Sequence, residues 1–104
     1  MSEILPTGDR ENAGYSFRLY IAGSSPNSVR ALANLYAICR KHYPDSHHIE
    51  VIDVLKEPIR ALAEAILVTP TMVRVFPRPE LQIIGNLSDE EELLCALGLP
   101  QIQK

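Results

Sequence analysis

Two cysteines, three histidines, one acidic run and a few separated arginines are the groups in this chain able to do chemistry. Cys39 and Cys95 lie inside apolar helical patterns, where thiols in a reducing compartment act as small buried hydrophobes rather than a redox pair. A thiol–disulfide enzyme keeps its reactive sulfur at the amino end of a helix, where the macrodipole and free N–H groups stabilise thiolate. The corresponding stretch here, YIAGSSPNSVRAL from Tyr20 to Leu32, holds Ser24, Ser25, Pro26 and Asn27 instead. A serine hydroxyl supplies no low-pKa anion and no histidine base stands beside it, so dithiol chemistry is absent. His42, His47 and His48 cluster after this helix, yet adjacent histidines at a strand start point apart, and they read as solvated side chains with no metal. The run Asp89 to Glu92 complements a helix dipole, with room for a partner contact. Arg18, Arg30 and Arg74 form a candidate rim for a protein interface on the face away from that run, since planar, multiply donating guanidinium groups suit carboxylate partners.

The elements that position these groups follow from periodicity. With 104 residues, 46% of them hydrophobic, the chain supports one core and not two. The net charge of -3 comes from interspersed signs, which excludes the basic footprint of a nucleic-acid binder. No apolar run approaches a membrane span and the amino terminus lacks the pattern of a signal peptide, so the expected location is cytoplasmic. Residues 1–14 read as a disordered arm, 15–99 as the folded domain and 100–104 as a short tail.

SFRLYIA reads as an inner strand, apolar enough to be covered on both sides. Ser25 is placed to cap a helix with Pro26 at its first position, and Val29, Leu32, Ala33, Tyr36 and Cys39 give that helix a buried stripe to about Lys41. Ile49 to Val54 is a second strand, expected parallel to the first, and Pro58 opens a short second helix. Thr71 to Phe76 and Leu81 to Ile84 flank the PRPE turn as an antiparallel hairpin. Ser88 and Glu91 form a capping box for a last helix with Leu93, Leu94 and Leu97 on its apolar side and Gly98 and Pro100 at its end.

The order βαβαββα, with a proline directly before the third strand, is that of an α/β thioredoxin-like fold. Thr69-Pro70 is expected to be cis, because an X-Pro bond is held cis at a cost of only about 0.5–1 kcal/mol. Pro26, Thr69 and Pro70 are therefore structural residues. One enzymatic alternative stays open: Ser25, the Thr69-Pro70 turn and the pair Ser88-Asp89 can be cast as the grip of a small glutathione-binding enzyme, although the chain leaves no room for the helical domain that usually completes such a site.

In order and spacing, RLYIAGSSPNSVRAL, VIDVLKEP, VTPTMVRVFPRP and IIGNLS resemble the motifs of the KaiB family of circadian clock proteins. The resemblance implies a non-enzymatic, cofactor-free protein that docks on a KaiC-type ring ATPase and modulates a timing or stress-linked cycle. It names KaiA or a histidine kinase as competitors and a homo-oligomer as a further state. It also implies two folds, a self-associated ground state and a thioredoxin-like form that alone binds the ring. Tyr15, Arg18, Arg30 and Arg74 match aromatic or basic family positions, the basic ones being candidates for the ring interface. The chain departs from the family at Leu81 and Gln82, where many members carry arginines, and at Ala96 and Gly98, where strongly switching members carry glycine and aspartate. Alanine is about 1 kcal/mol better than glycine within a helix, so Ala96 is expected to bias the chain toward the thioredoxin-like form.

Overall fold

Strand β1 (Tyr15–Ile21) is the centre around which the chain folds, hydrogen-bonded on both sides in a sheet of order β2-β1-β3-β4. A computed structural model describes residues 14–44 and 46–97. Helix α1 (Pro26–His42) crosses from β1 to β2 (His47–Asp53), which runs parallel to β1 with Tyr15 beside His47 and Ile21 beside Asp53. The short helix α2 (Pro58–Ala63) leads to β3 (Thr71–Phe76), antiparallel to β1, and β4 (Leu81–Ile84) returns along β3 before α3 (Glu90–Ala96). The expected order and the cis Thr69-Pro70 bond are both present, and Phe76-Pro77 and Arg78-Pro79 are cis as well. Gly98 and Pro100, the tail and, apart from Gly14, the amino-terminal arm lie outside the described residues.

Strand alternation splits the core in two. Phe17, Leu19 and Met72 share one face with Leu35, Ile38 and Cys39 of α1 and with Leu93, Leu94 and Leu97 in and just after α3. Tyr20, Ile52 and Val73 share the other with Ala61 and Ile66 around α2. The inner-strand reading of β1 thus holds, since both its faces are covered.

Four local expectations are corrected. Helix α1 keeps the helical period, but its phase differs: Ser28, Ala31, Leu35, Ile38 and Cys39 are buried, while Val29, Ala33 and Tyr36 are exposed. Small Ala31 and Ser28 let the helix lie close to the sheet, and the bulkier Val29 and Tyr36 turn outward. Cys95 is exposed, because its neighbours Leu93 and Leu94 take the inward side of α3; Cys39 alone is the buried thiol. The last helix is capped one residue later than the S-x-x-E pattern suggests: Asp89 accepts from the Glu92 N–H at 3.0 Å, and the Ser88 N–H donates to the Asn86 side chain. Ser25 occupies the N-cap position of α1 without bonding the helix end, as its hydroxyl donates to Ser28 Oγ at 2.8 Å.

Polar clasps join α1 to the segment around α3. The Asn34 side chain donates to the Asn86 carbonyl at 2.8 Å, and Asn86 donates to Asn27 at 3.2 Å. At the other end, Glu90 receives Lys41 Nζ at 3.1 Å and stands 3.2 Å from His42 Nε2.

Candidate protein-docking surface

The loops after β1 and β2 are tied by Asp53, the last residue of β2. Its carboxylate accepts from the Gly23 N–H at 3.1 Å and the Leu55 N–H at 2.9 Å, and its carbonyl accepts from Lys56 and Glu57. Gly23 has φ +57, and a Cβ there would press on Leu55 Cδ1 at 3.3 Å, so glycine serves both the left-handed backbone and the close approach. Across the loop, Ser28 Oγ accepts from the Ala22 N–H at 3.0 Å as well as from Ser25. Ser25, standing where a redox enzyme keeps a thiol, is therefore engaged in holding the loop through Ser28.

This clipped turn delivers Leu55 and then α2 to the surface. Pro58 sets the first turn, Ala61 faces the sheet, and Ile59 and Leu62, three residues apart, share the outward side. Leu55, Ile59, Leu62 and Leu67 are 70%, 75%, 69% and 87% exposed. Single exposed apolar residues need no explanation, whereas four around one short helix make a candidate interaction surface. Charged groups edge the patch: Arg60 reaches Glu50 at 2.8 Å and Glu57 at 3.5 Å, and Arg18 reaches Glu50 at 3.4 Å and Glu64 at 3.7 Å. The hydrogen bond to Glu50 raises the Arg60 pKa further.

The candidate arginines do not form one rim. Arg18 lies on the α2 side of the sheet, in register with Val73, and is engaged with two carboxylates. Arg74 is in register with Phe17 and Leu81 on the opposite side, where it donates to the carbonyls of Leu97 at 3.3 Å and Pro79 at 3.0 Å. Arg74 thus holds the end of α3. Arg30 is exposed on α1, and Tyr15 stacks on Tyr43 with ring centroids 3.9 Å apart, packed against the α1 side of the core. Of the four, Arg18 alone stands near the leucines. The patch itself escaped sequence reasoning, although KEPIRALAEAILV carries a signal for it: apolar residues recur on more sides of the helix than one sheet can cover.

The residues open to enzymatic readings are occupied by the fold. Burial pushes the Cys39 thiol up to about 12, so it supplies no thiolate. Burial likewise raises the pKa of Tyr43 and Tyr20. His47 Nδ1 lies 2.6 Å from the Tyr43 carbonyl and His42 beside Glu90, so two of the three histidines are bonded within the protein rather than simply solvated. Among the described residues no three metal-ligating side chains converge, and no helix is long and apolar enough to cross a membrane. Ser25 and Asp89, cast for a glutathione grip, are engaged by Ser28 and by the helix cap.

The KaiB domain family matches residues 18–99. The chain is 45% identical over 82 residues to circadian clock protein KaiB3 of a Synechocystis strain, covering 79% of this chain and 80% of that protein. Among solved structures, the amino-terminal domain of SasA from Synechococcus elongatus is similar with a TM-score of 0.62 at 20% identity, both chains being covered in full. The thioredoxin Deadhead of Drosophila melanogaster has a TM-score of 0.65 at 15% identity, covering 86% of this chain and 84% of its own. Those two likenesses establish a thioredoxin-like fold and carry no function. The family match and the identity to a clock protein over most of both chains lead to one assignment: this chain belongs to the KaiB family of circadian clock proteins.

Proposed function

We propose that this KaiB-family chain is a non-enzymatic docking protein, acting in the cytoplasm, that binds a KaiC-type ring ATPase through the α2 surface and so modulates the ring's cycle. The observation that carries the reading is the exposure of Leu55, Ile59, Leu62 and Leu67 around a helix of only six residues. An apolar core inside a polar rim is the usual anatomy of a protein interface, and the few anchors that dominate such a core each cost about 2 kcal/mol or more when truncated. Arg18 and Arg60 with their carboxylate partners supply that border, and residues 15–99 act as one unit. Arg30, Arg74 and Tyr15 lie away from the patch and support the fold or the edge of the contact.

The form that binds is the thioredoxin-like one, and Ala96, the last residue of α3, favours its population over a rearranged ground state. A histidine kinase, or KaiA, competes for the assembly. Titration of the purified chain into an ADP-bound KaiC-type ATPase tests the reading, with glutathione titrated in parallel. Saturable binding to the ring and none to the peptide is expected. Binding of glutathione without the ring would overturn it in favour of the small-enzyme alternative.

A further inference from the structure

The far edge of the sheet, remote from α2 in strand order, carries features that the docking surface leaves unused. Strand β4 ends the order β2-β1-β3-β4, so among the described residues it is paired on one side only. Sheet edges are commonly blunted by charge or proline, because their free N–H and C=O groups accept another strand. β4 reads Leu-Gln-Ile-Ile, with no charge and no proline, and leaves Ile84 65% exposed.

Between this edge and α3 runs a groove of about 320 Å³, within the size range of ligand clefts. Ile83, Leu87, Leu93 and Ala96 give it an apolar floor, and Asp89 and Glu92 line it from α3. No lysine, arginine or histidine lines it among the described residues. One Asp89 oxygen caps the helix, and Glu92 is exposed.

We propose that the β4 edge and this groove bind an extended segment of a protein partner bearing lysine or arginine at alternate positions, added to the sheet as a further strand. Main-chain hydrogen bonds to β4 supply affinity, and the period of two sends every second side chain toward α3. A lysine or arginine there lays its methylene stem along the floor and brings its charge to Glu92 and Asp89. An acidic segment meets repulsion at the same place, so charge selects the occupant.

The test titrates the 15N-labelled full chain with two synthetic heptapeptides, one alternating lysine with valine and one alternating glutamate with valine. The lysine peptide is expected to shift amides of β4 and α3 and to bind at least tenfold more tightly than the glutamate peptide. Glu92→Lys, at an exposed position of α3, is expected to weaken it at least tenfold, and the milder Glu92→Gln to weaken it less, while the rest of the spectrum stays unchanged. N-methylation of alternate peptide amides is expected to abolish binding, and Ile59→Asp to leave it intact, which separates this site from the α2 surface. Equal binding of both peptides, shifts confined to β2 or α2, unchanged affinity in the folded Glu92→Lys chain, or no binding at millimolar peptide would overturn the proposal.

Discussion

The Asp53 carboxylate accepts the Gly23 N–H at 3.1 Å, so the end of β2 fastens the loop that opens α1, thirty residues earlier in the chain. The same oxygen holds the Leu55 N–H at 2.9 Å, which makes one side chain responsible for both the loop and the first leucine of the patch. Replacing Asp53 with alanine strands two N–H donors and removes a charged acceptor, worth about 1.5–3 kcal/mol in similar settings. We expect the urea midpoint to fall accordingly and ring binding to weaken with it, while Asp53→Asn, which retains an acceptor oxygen, loses less of both.

The outward side of α2 separates docking from folding. Ile59 and Leu62 contribute to neither core cluster, so Ile59→Asp and Leu62→Asp are expected to leave thermal unfolding within a few degrees of the parent. Each is expected to lower affinity for the ring ATPase by tenfold or more in a sedimentation or calorimetric titration, following the scale of a hot-spot loss. The inward-facing Ala61→Asp is expected to do the reverse and unfold the chain, since it buries a charge against Tyr20 and Ile52.

Helix α2 ends with an uncommon residue. Ala65 has φ +59, the Ile66 N–H bonds the Ala61 carbonyl at 2.9 Å and the Ala65 N–H bonds that of Leu62 at 3.0 Å. This is the Schellman arrangement, which glycine ordinarily terminates because a Cβ in the left-handed region costs about 1–2 kcal/mol. Ala65→Gly is expected to stabilise the chain by about 0.5–1 kcal/mol after the added backbone entropy, read as a rise of a few degrees in melting temperature.

Acid stability is expected to depend on Glu90. Hydrogen bonds from His42 and Lys41 hold its carboxyl below the usual range in the folded chain. A carboxylate depressed on folding stabilises above its ordinary pKa, and that stabilisation is lost as pH falls through the lowered value. The urea midpoints of the parent and Glu90→Gln should therefore differ at pH 6 and converge only once the pH has fallen below the ordinary glutamate range. A constant difference at every pH would assign the effect to packing.

Much of the fold was legible because period and punctuation agree. Pro26 and Pro58 open helices, Pro70 precedes β3, and the alternation in β1 identifies a strand covered on both faces. The phase of α1 was not legible, since Val29, Leu32 and Tyr36 form as good an apolar row as the buried one, and the choice rests on which side lies close to the sheet. The site was less legible than the fold. Arg18 and Arg74 look equivalent in the sequence, each on a strand, yet strand alternation and antiparallel register place them on opposite faces. The exposed leucines follow from α2 being too short to bury more than Ala61, which only tertiary packing decides.

The two clasps from α1 give that helix the role of a measuring stick. Asn34 and Lys41 lie about 10 Å apart along the axis at about 1.5 Å per residue, and they grip Asn86 and Glu90, whose connecting chain reaches about 13–14 Å when fully stretched. The link has little slack to lose, so its length is gauged against a rigid ruler. Leu87 is buried and Asp89 caps the helix within this run, so a substitution there changes packing or capping but keeps the measure, whereas a deletion leaves one end unfastened.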